Sequence, residues 1–352
     1  MAMAGGPHTP VHAHGAHHLA QALVLACSLL PIAASAQPEP LRLAGVVYLG
    51  DLPTLVARED NLFSAQRLDI HVTRRYSGKE NLERLRAGEF DFALMAPTPF
   101  VLDRLANPAA DDGDTPVILA SLVHANQLNH IITLATNGIH EPADLVGKRL
   151  GLLRGTHAEY LWWLYTAYHG LDTGAVELVD LPVAEIGRAL QAGEIDAAAL
   201  WEPWTTHLTE AVGDDFLRLP SSEIYTAQWV LVAKRDFAEG RPDTVRRVLA
   251  AYREAILTIE REPERALRLH ADDVGVASAG VFAERDAALF GLSLNWALIA
   301  TLQQKIEWAR ATTLSNHDTP TDVLSWIESD PLRALDSSAV GIPRPVPVGP
   351  EH

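Results

Sequence analysis

At three stretches of the chain the pattern predicts that a strand gives way to a helix. They lie around Thr98, Thr156 and Pro203. The first turn of a helix offers N–H groups without intrahelical partners and the positive end of the helix dipole. Three such turns facing one another could hold a sulfonate, carboxylate, phosphate or nitrate. An ordinary capped helix is the commoner explanation at any single position, so the prediction depends on the three stretches lying together.

Acidic and aromatic residues near the same stretches favour a ligand with a second type of group. Asp51 and Glu202 would repel an anion, so we expect a cationic or N–H-donating portion beside them, as in taurine or an aminopyrimidine. Aromatic faces favour the same portion through cation–π contact. Core packing of the aromatic residues, and a purely bracing role for Glu202, are the alternatives. The candidate ligand-binding residues are Tyr48, Asp51, Pro97, Thr98, Asn126, Gly155, Thr156, His157, Trp201, Glu202 and Trp229.

Two of these stretches belong to a weak internal repeat. Leu85–Pro99 and Leu190–Trp204 share Leu, Ala, Gly, Glu, Asp and Ala at positions 105 residues apart. In each copy the pattern predicts a helix that ends at Gly, a short apolar strand, and a second helix with Pro in its first turn. At the first copy Thr98 is predicted to cap a helix that begins at Pro99. The repeat indicates two similar α/β lobes, with a cleft at the carboxyl ends of their strands.

Composition narrows the class of protein. The chain has 352 residues, enough for two domains, and a formal net charge of −17. A strongly acidic chain does not suit a nucleic acid or an anionic membrane as partner. The single cysteine, Cys27, excludes an internal disulfide framework.

The N-terminal 36 residues have the pattern of a secretory signal peptide. The apolar run Leu19–Ala34 is followed by Ala34-Ser35-Ala36, a small-x-small cleavage site, and then by a polar start at Gln37. Two alternatives remain: lipid anchoring at Cys27, and metal binding by the histidines before Leu19, which cleavage would remove.

From Leu41 onward strands alternate with helices, and the last third is mostly helical. This order predicts an α/β protein with two lobes, each a mixed sheet covered by helices. We predict lobe I from residues 41–132 and 230–335, and lobe II from residues 133–229. The chain would cross between them near His130–Thr136 and Tyr225–Val232. A helix is predicted over Pro320–Glu328, and residues 336–352, rich in Pro and Gly, are predicted to be disordered.

The ordered set of motifs resembles the substrate-binding proteins of ABC importers, in the branch that handles sulfonates, taurine, nitrate and pyrimidine precursors of thiamine. The motifs are Asp144–Gly151, Gly155-Thr156-His157, Ala189–Ala197 and Trp201-Glu202-Pro203. The resemblance implies a type II periplasmic binding fold, a small-molecule ligand between the lobes, and a permease and ATPase in the inner membrane as partners. It also implies a periplasmic protein without cofactor, and we expect a monomer.

The alternatives are a sensor partner and a pyrimidine-precursor synthase of the same fold. That enzyme would be expected to have a cysteine cluster and a lysine for a pyridoxal cofactor. The mature chain has no cysteine, and none of its lysines (Lys79, Lys148, Lys234 and Lys305) lies at a predicted corner. His124, His130 and His157 are predicted near the cleft, but no sequence signature joins them into a metal site. We therefore predict a binding protein, with metal binding as a minor third possibility.

Overall fold

The computed structural model describes residues 6–8, 39–107, 113–220, 224–277, 287–312, 314 and 321–344. Residues 1–37 form a unit separate from Pro38–His352, and only the second unit is considered below. Apart from residues 6–8, the predicted signal peptide, with Cys27 and its cleavage site, lies outside the described residues. None of the helices in the described ranges has the length and apolar character needed to span a bilayer.

Eleven strands and twelve α-helices are present in the described part of the chain. The strands are β1 (Glu39–Val46), β2 (Leu68–Arg75), β3 (Phe92–Met95), β4 (Pro116–Ala125), β5 (Asn129–Leu134), β6 (Arg149–Leu152), β7 (Glu177–Asp180), β8 (Ala197–Trp201), β9 (Phe216–Arg218), β10 (Ala227–Lys234) and β11 (Ala288–Ser293). The helices are α1 (Leu52–Glu59), α2 (Leu62–Ala65), α3 (Gly78–Arg86), α4 (Pro97–Ala106), α5 (His157–His169), α6 (Val183–Gln191), α7 (Trp204–Val212), α8 (Arg235–Gly240), α9 (Pro242–Arg261), α10 (Pro263–Val274), α11 (Trp296–Ala311) and α12 (Asp330–Leu335).

The strands form two mixed sheets, one in each lobe. The first has the order β11-β4-β10-β3-β1-β2, and the second has the order β7-β6-β8-β5-β9. In each sheet three parallel strands are followed by an antiparallel one, β10 in the first and β5 in the second. The two lobes therefore repeat one topology, and the predicted two-lobed α/β architecture is confirmed.

The chain changes lobe in short irregular segments. It leaves the first sheet after β4 and enters the second at Asn129, and it returns between β9 and Ala227. The predicted boundaries at 132/133 and 229/230 are therefore wrong, because they fall inside β5 and β10. Each of these strands pairs along its length within one sheet, so its backbone hydrogen bonds are satisfied there and the crossing falls outside it.

The repeated helix–Gly–strand–helix unit is present in both lobes. In the first, α3 leads through Gly88 to β3 and α4; in the second, α6 leads through Gly193 to β8 and α7. Gly88 and Gly193 have φ values of 76° and 67°, the left-handed region that favours glycine. Every residue of β3 and of β8 is buried, which explains why both read as uninterrupted apolar runs.

The C-terminal region departs from the sequence-based prediction. Pro320–Glu328 holds a 3-10 turn over Val323–Trp326 among its described residues, and the preceding segment contributes β11, which the sequence did not indicate. The predicted disorder of residues 336–352 is wrong as far as 344. Val340 bridges to Leu294 beside β11, and Ile342 is buried. These two aliphatic side chains dock on the core, which offsets the cost of ordering a Pro-rich segment. Residues 345–352 lie outside the described residues.

Candidate functional site

A narrow cavity lies where the two lobes meet. Its lining residues come from both lobes: Tyr48, Ser77, Gly78, Lys79, Ala96, Pro99, Thr156, His157 and Trp201. The cavity has a volume of about 10 Å³, which is room for about one water molecule. The lobes are thus closed on each other, and a solute larger than water enters only when they separate.

Two helix N-termini, one from each lobe, face this cavity. Ser77 caps α3 by accepting a hydrogen bond from the backbone N–H of Lys79. Thr156 caps α5 in the same way through the N–H of Ala158. The positive ends of two helix dipoles therefore converge, which favours a negatively charged group between them.

Lys79 joins the two helix starts across the cleft. Its Nζ donates to the carbonyl oxygen of Arg154 at 3.2 Å. Gly155, the residue after Arg154, has a φ of +73°, in the left-handed region that favours glycine. The site thus includes a cation that the sequence-based prediction placed outside any corner.

The acidic residue in the first turn of α5 is turned away from the cavity. Glu159 accepts hydrogen bonds from the backbone N–H of Gly155 at 2.8 Å and from Arg154 Nη1 at 3.1 Å. Thr156 and Glu159 have the spacing of a capping box, but the carboxylate accepts from the backbone N–H of Gly155, one residue before the cap. Because Arg154 balances its charge, Glu159 does not oppose an anion at the helix start.

His157 and Trp201 form the wall of the cavity in the second lobe. The two rings lie 4.6 Å apart between centroids, and the imidazole stacks on Tyr225 at 6.5 Å. Burial, together with the nearby ammonium of Lys305, lowers the pKa of His157 to about 3, so the ring is neutral. His157 Nε2 and Trp201 Nε1 are buried and make no hydrogen bond within the described ranges. Both ring nitrogens are therefore available to form a hydrogen bond with a bound molecule.

Behind His157 lies a buried lysine that sequence reasoning did not assign to the site. Lys305 is fully buried, with Nζ 3.6 Å from the ring centroid of Tyr160 and 4.8 Å from that of Tyr225. It donates a hydrogen bond to the Tyr225 hydroxyl at 3.4 Å. Burial holds the pKa of Lys305 well below its ordinary value. The lysine comes from α11, 145 positions after Tyr160, so no local pattern could join them.

The first predicted corner differs in detail from the prediction. Helix α4 begins at Pro97, two residues earlier than expected, and Ala96 stands at its cap without a side-chain hydrogen bond. Thr98 therefore lies inside the helix, where its buried hydroxyl makes no hydrogen bond to any described residue. Pro97 and Pro99 lack N–H groups, so this helix start offers fewer donors to an anion than α3 or α5.

The two acidic candidates are engaged inside the protein. Asp51 is fully buried and accepts from the backbone N–H of Val46 at 3.0 Å and from Arg74 Nε at 3.1 Å. Burial raises the pKa of Asp51 to about 6, although Arg74 opposes this shift. Glu202 accepts from the N–H and hydroxyl of Thr206, at 3.0 and 2.8 Å, and lies outside the cavity lining. The bracing interpretation of Glu202 fits this geometry, and a cationic ligand portion beside either carboxylate is not supported.

The remaining candidates divide between the cavity and its surroundings. Tyr48 lines the cavity and packs on Trp229 at 5.8 Å, with Trp229 held against Gly50 behind it. Asn126 is exposed in the segment between the lobes, where its backbone N–H bonds to Ala287, and it does not line the cavity.

Sequence reasoning missed the start of α3. Ser77 and Glu80 have the spacing of a helix-capping pair, and this signal could have placed Lys79 at a helix N-terminus.

The described ranges contain no group of three or more His, Asp or Glu residues able to hold a metal ion.

The fold and this interlobe cavity define a two-lobed solute-binding architecture. The model of the NMT1/THI5 like family matches residues 51–266, and the chain belongs to that family. A provisionally assigned binding protein of Brucella abortus (strain 2308) is 25% identical over 267 residues, which is 75% of this chain and 80% of that protein. The taurine-binding periplasmic protein of Escherichia coli (strain K12) is 28% identical over 201 residues, covering 55% of this chain and 59% of that protein.

Solved structures share the fold. The alkanesulfonate-binding protein SsuA from Xanthomonas axonopodis pv. citri, bound to MOPS, superposes with a TM-score of 0.69 over 87% of this chain and 99% of that one, at 22% identity. The desulfurization enzyme DszB superposes with a TM-score of 0.60 at 16% identity, over 85% of this chain and 99% of that one. Binding proteins and an enzyme thus use the same architecture, and the site must decide between them.

Proposed function

We propose that this chain is the solute-binding component of an ABC importer. It captures a small molecule with an anionic head group, of the sulfonate or taurine type, between its lobes and delivers it to a permease and ATPase in the inner membrane. The convergence of the α3 and α5 N-termini with Lys79 on one interlobe cavity carries this proposal. The taurine-binding and alkanesulfonate-binding proteins named above support the same ligand class.

The neutral wall of the cavity favours a head group that accepts hydrogen bonds. His157 and Trp201 bring buried ring nitrogens to the same space as Lys79, and the lining residues that the structure describes include no carboxylate. A sulfonate has three acceptor oxygens and can use several donors at once. Because the closed cavity is small, we expect a short aliphatic sulfonate or nitrate to bind more tightly than a bulky aminopyrimidine.

Binding without catalysis is the second part of the proposal. The two relatives named above by sequence similarity are binding proteins, and the described part of the cavity lining contains no Asp, Glu or Cys side chain. Lobe closure then acts as the signal that a membrane partner recognises. We propose that the protein works as a monomer in the periplasm after removal of residues 1–36.

A ligand screen on the mature chain tests the proposal. Taurine, alkanesulfonates of increasing length, nitrate and a formylaminopyrimidine are compared by thermal shift and calorimetry. A ligand at about 100 times its Kd adds roughly 2.7 kcal/mol to the free energy of unfolding, which is a clear shift.

Lys79→Met should weaken the anion that binds by roughly tenfold or more, because a charged hydrogen-bond donor is lost. Lys148→Met, which removes the same charge from the second lobe away from the cavity, is the matched control. If the formylaminopyrimidine alone binds, or if Lys79→Met binds as the unaltered chain does, the proposed ligand class is wrong.

A further inference from the structure

Asn129 places a carboxamide at the edge of the second sheet that faces the first lobe. It is the first residue of β5, directly after the irregular segment by which the chain enters the second lobe. Asn129 exposes only 3% of its surface, and neither Oδ1 nor Nδ2 has a hydrogen-bond partner among the described residues. A buried amide without partners is costly, which indicates a ligand or a water molecule that supplies them.

The strand register places this carboxamide beside the wall of the interlobe cavity. Asn129 is paired with Trp201, the last residue of β8, and directly paired residues carry their side chains on one face, with Cβ atoms about 5 Å apart. Trp201 lines the cavity and lies against His157 of α5. The next residue of β5, His130, lies on the opposite face, where its Nε2 is 3.9 Å from Oε1 of Glu202. The Asn129 side chain is therefore on the face that α5 covers, beside the cavity wall.

Asn129 adds a hydrogen-bond acceptor to a wall that otherwise presents donors. Lys79 Nζ, the backbone N–H groups at the starts of α3 and α5, and Trp201 Nε1 all suit the anionic head group. The described lining residues include no carboxylate. The oxygen of a carboxamide has two lone pairs and no net charge, so it can accept from an N–H, O–H or ammonium group without repelling a sulfonate nearby. The rings of Tyr48 and Trp201 favour an ammonium in the same space through cation–π contact.

We propose that Asn129 is a specificity-determining residue of the interlobe site, where its Oδ1 accepts a hydrogen bond from a donor group that the ligand carries besides its anionic head. The favoured ligand is then an aminosulfonate, and a plain alkanesulfonate of the same length binds less tightly. This inference rests on the proposed function, since it requires an anion between the lobes. Asn129 does not line the closed, water-sized cavity, so its carboxamide is reached in the wider space that a ligand requires.

Calorimetry on the full mature chain with three sulfonates of equal carbon number tests this role. Taurine carries an ammonium, isethionate a hydroxyl, and ethanesulfonate neither. We expect taurine to bind roughly tenfold or more tighter than ethanesulfonate, with isethionate between them, because a hydrogen bond from a charged donor is stronger than one from a neutral donor. In Asn129→Val, taurine should bind about as weakly as ethanesulfonate, whereas the Kd of ethanesulfonate should stay that of the unaltered chain.

The melting temperature separates a ligand contact from a structural role. Because the carboxamide has no partner in the described fold, ligand-free Asn129→Val should melt at the same temperature as the unaltered chain or higher. Gln191→Leu, which removes an exposed carboxamide from α6 of the same lobe, should keep the preference for taurine.

Three results would overturn the role of Asn129. They are an unaltered chain that binds ethanesulfonate as tightly as taurine, an Asn129→Val protein that keeps the preference for taurine, and an Asn129→Val protein that melts lower and binds all three sulfonates more weakly by the same factor. If the unaltered chain binds none of the three, the proposed function itself is wrong, and the role of Asn129 falls with it.

Discussion

Asp196 accepts a hydrogen bond from the backbone N–H of Arg149 at 2.8 Å and another from Nη2 of the same arginine, also at 2.8 Å. Asp91 and Arg42 make the same pair in the other lobe, at 2.8 and 2.9 Å. In each case the aspartate precedes the central buried strand and the arginine lies on the parallel strand beside it. The aspartate that the two copies of the repeat share therefore ties neighbouring strands together, and it does not line the interlobe cavity.

Asp196→Asn is expected to destabilise the protein by about 1–3 kcal/mol, because it weakens charge-assisted hydrogen bonds to a backbone N–H and a guanidinium. The Arg149 contact lowers the pKa of Asp196, consistent with a stabilised carboxylate. Urea unfolding measures the change. Asp214→Asn removes an exposed charge from the same lobe and should have little effect. Equal stability of the two variants would contradict this role of Asp196.

Lys305→Met is expected to stabilise the protein at neutral pH. Burying an ammonium costs several kcal/mol, whereas a desolvated cation–π contact such as that with Tyr160 returns about 2 kcal/mol. The gain should appear as a higher melting temperature, at about 2–4 °C for each kcal/mol.

The same lysine imposes a pH dependence. The pKa of Lys305 is lowered by burial in the folded state, so the unfolded chain binds more protons until the pH approaches 10.5, and stability rises with pH below that value. Melting curves between pH 7 and 9.5 should show this slope in the unaltered chain and a smaller one in Lys305→Met. Lys148→Met should keep it. A Lys305→Met protein that melts lower and retains the slope would show that the cation–π contact outweighs burial.

His157→Gln is expected to reduce sensitivity to acid. The pKa of His157 is lowered to about 3, so below its ordinary pKa of 6.5 the unfolded chain takes up a proton that the folded chain does not. The contribution of neutral His157 to the free energy of unfolding is therefore fully present above pH 6.5. It is lost as the pH falls toward 3, and at pH 5 the free energy of unfolding is lower by about 2 kcal/mol.

Two further buried histidines also make the fold less stable in acid. Part of the acid sensitivity therefore remains after the His157→Gln substitution. Burial lowers the pKa of His130 to about 3 and that of His270 to about 4. The difference in melting temperature between pH 7 and pH 5 should shrink in His157→Gln and stay the same in a variant of the exposed His71. An unchanged difference in His157→Gln would mean that this imidazole is protonated in the fold.

Tyr76→Ala is expected to open the ligand-free protein. Tyr76 of the first lobe meets Trp204 of the second edge-on at 5.2 Å, although its side chain is largely exposed. Such an aromatic pair contributes about 0.5–1.5 kcal/mol, enough to shift the balance between closed and open forms severalfold. Small-angle X-ray scattering should give a larger radius of gyration for Tyr76→Ala than for Tyr168→Ala, an exposed control within one lobe. Equal radii would show that the pair does not hold the lobes together.

The sequence by itself determined the order and type of most elements. The period-two alternation of Leu68–Arg74 and the apolar run Ala227–Ala233 each indicate a strand, and the observed strands extend one residue further at one end. Glycine stops, prolines in first turns and the alternation of apolar residues act over a few positions, so they are visible without a fold. The two-lobed class followed from their order and from the resemblance to a family.

Only the tertiary structure decided which polar groups face a ligand. Asp51 lay near a predicted corner, but Arg74 from the next strand engages it. Lys305 lay at no predicted corner, but its ammonium contacts the rings of Tyr160 and Tyr225, 145 and 80 positions earlier. Burial, pKa and hydrogen-bond partners depend on neighbours brought together by packing, and a local pattern holds no information about them. The assignment of individual ligand contacts therefore stays a prediction, whereas the geometry that would position them is set by the meeting of α3 and α5 across the cleft.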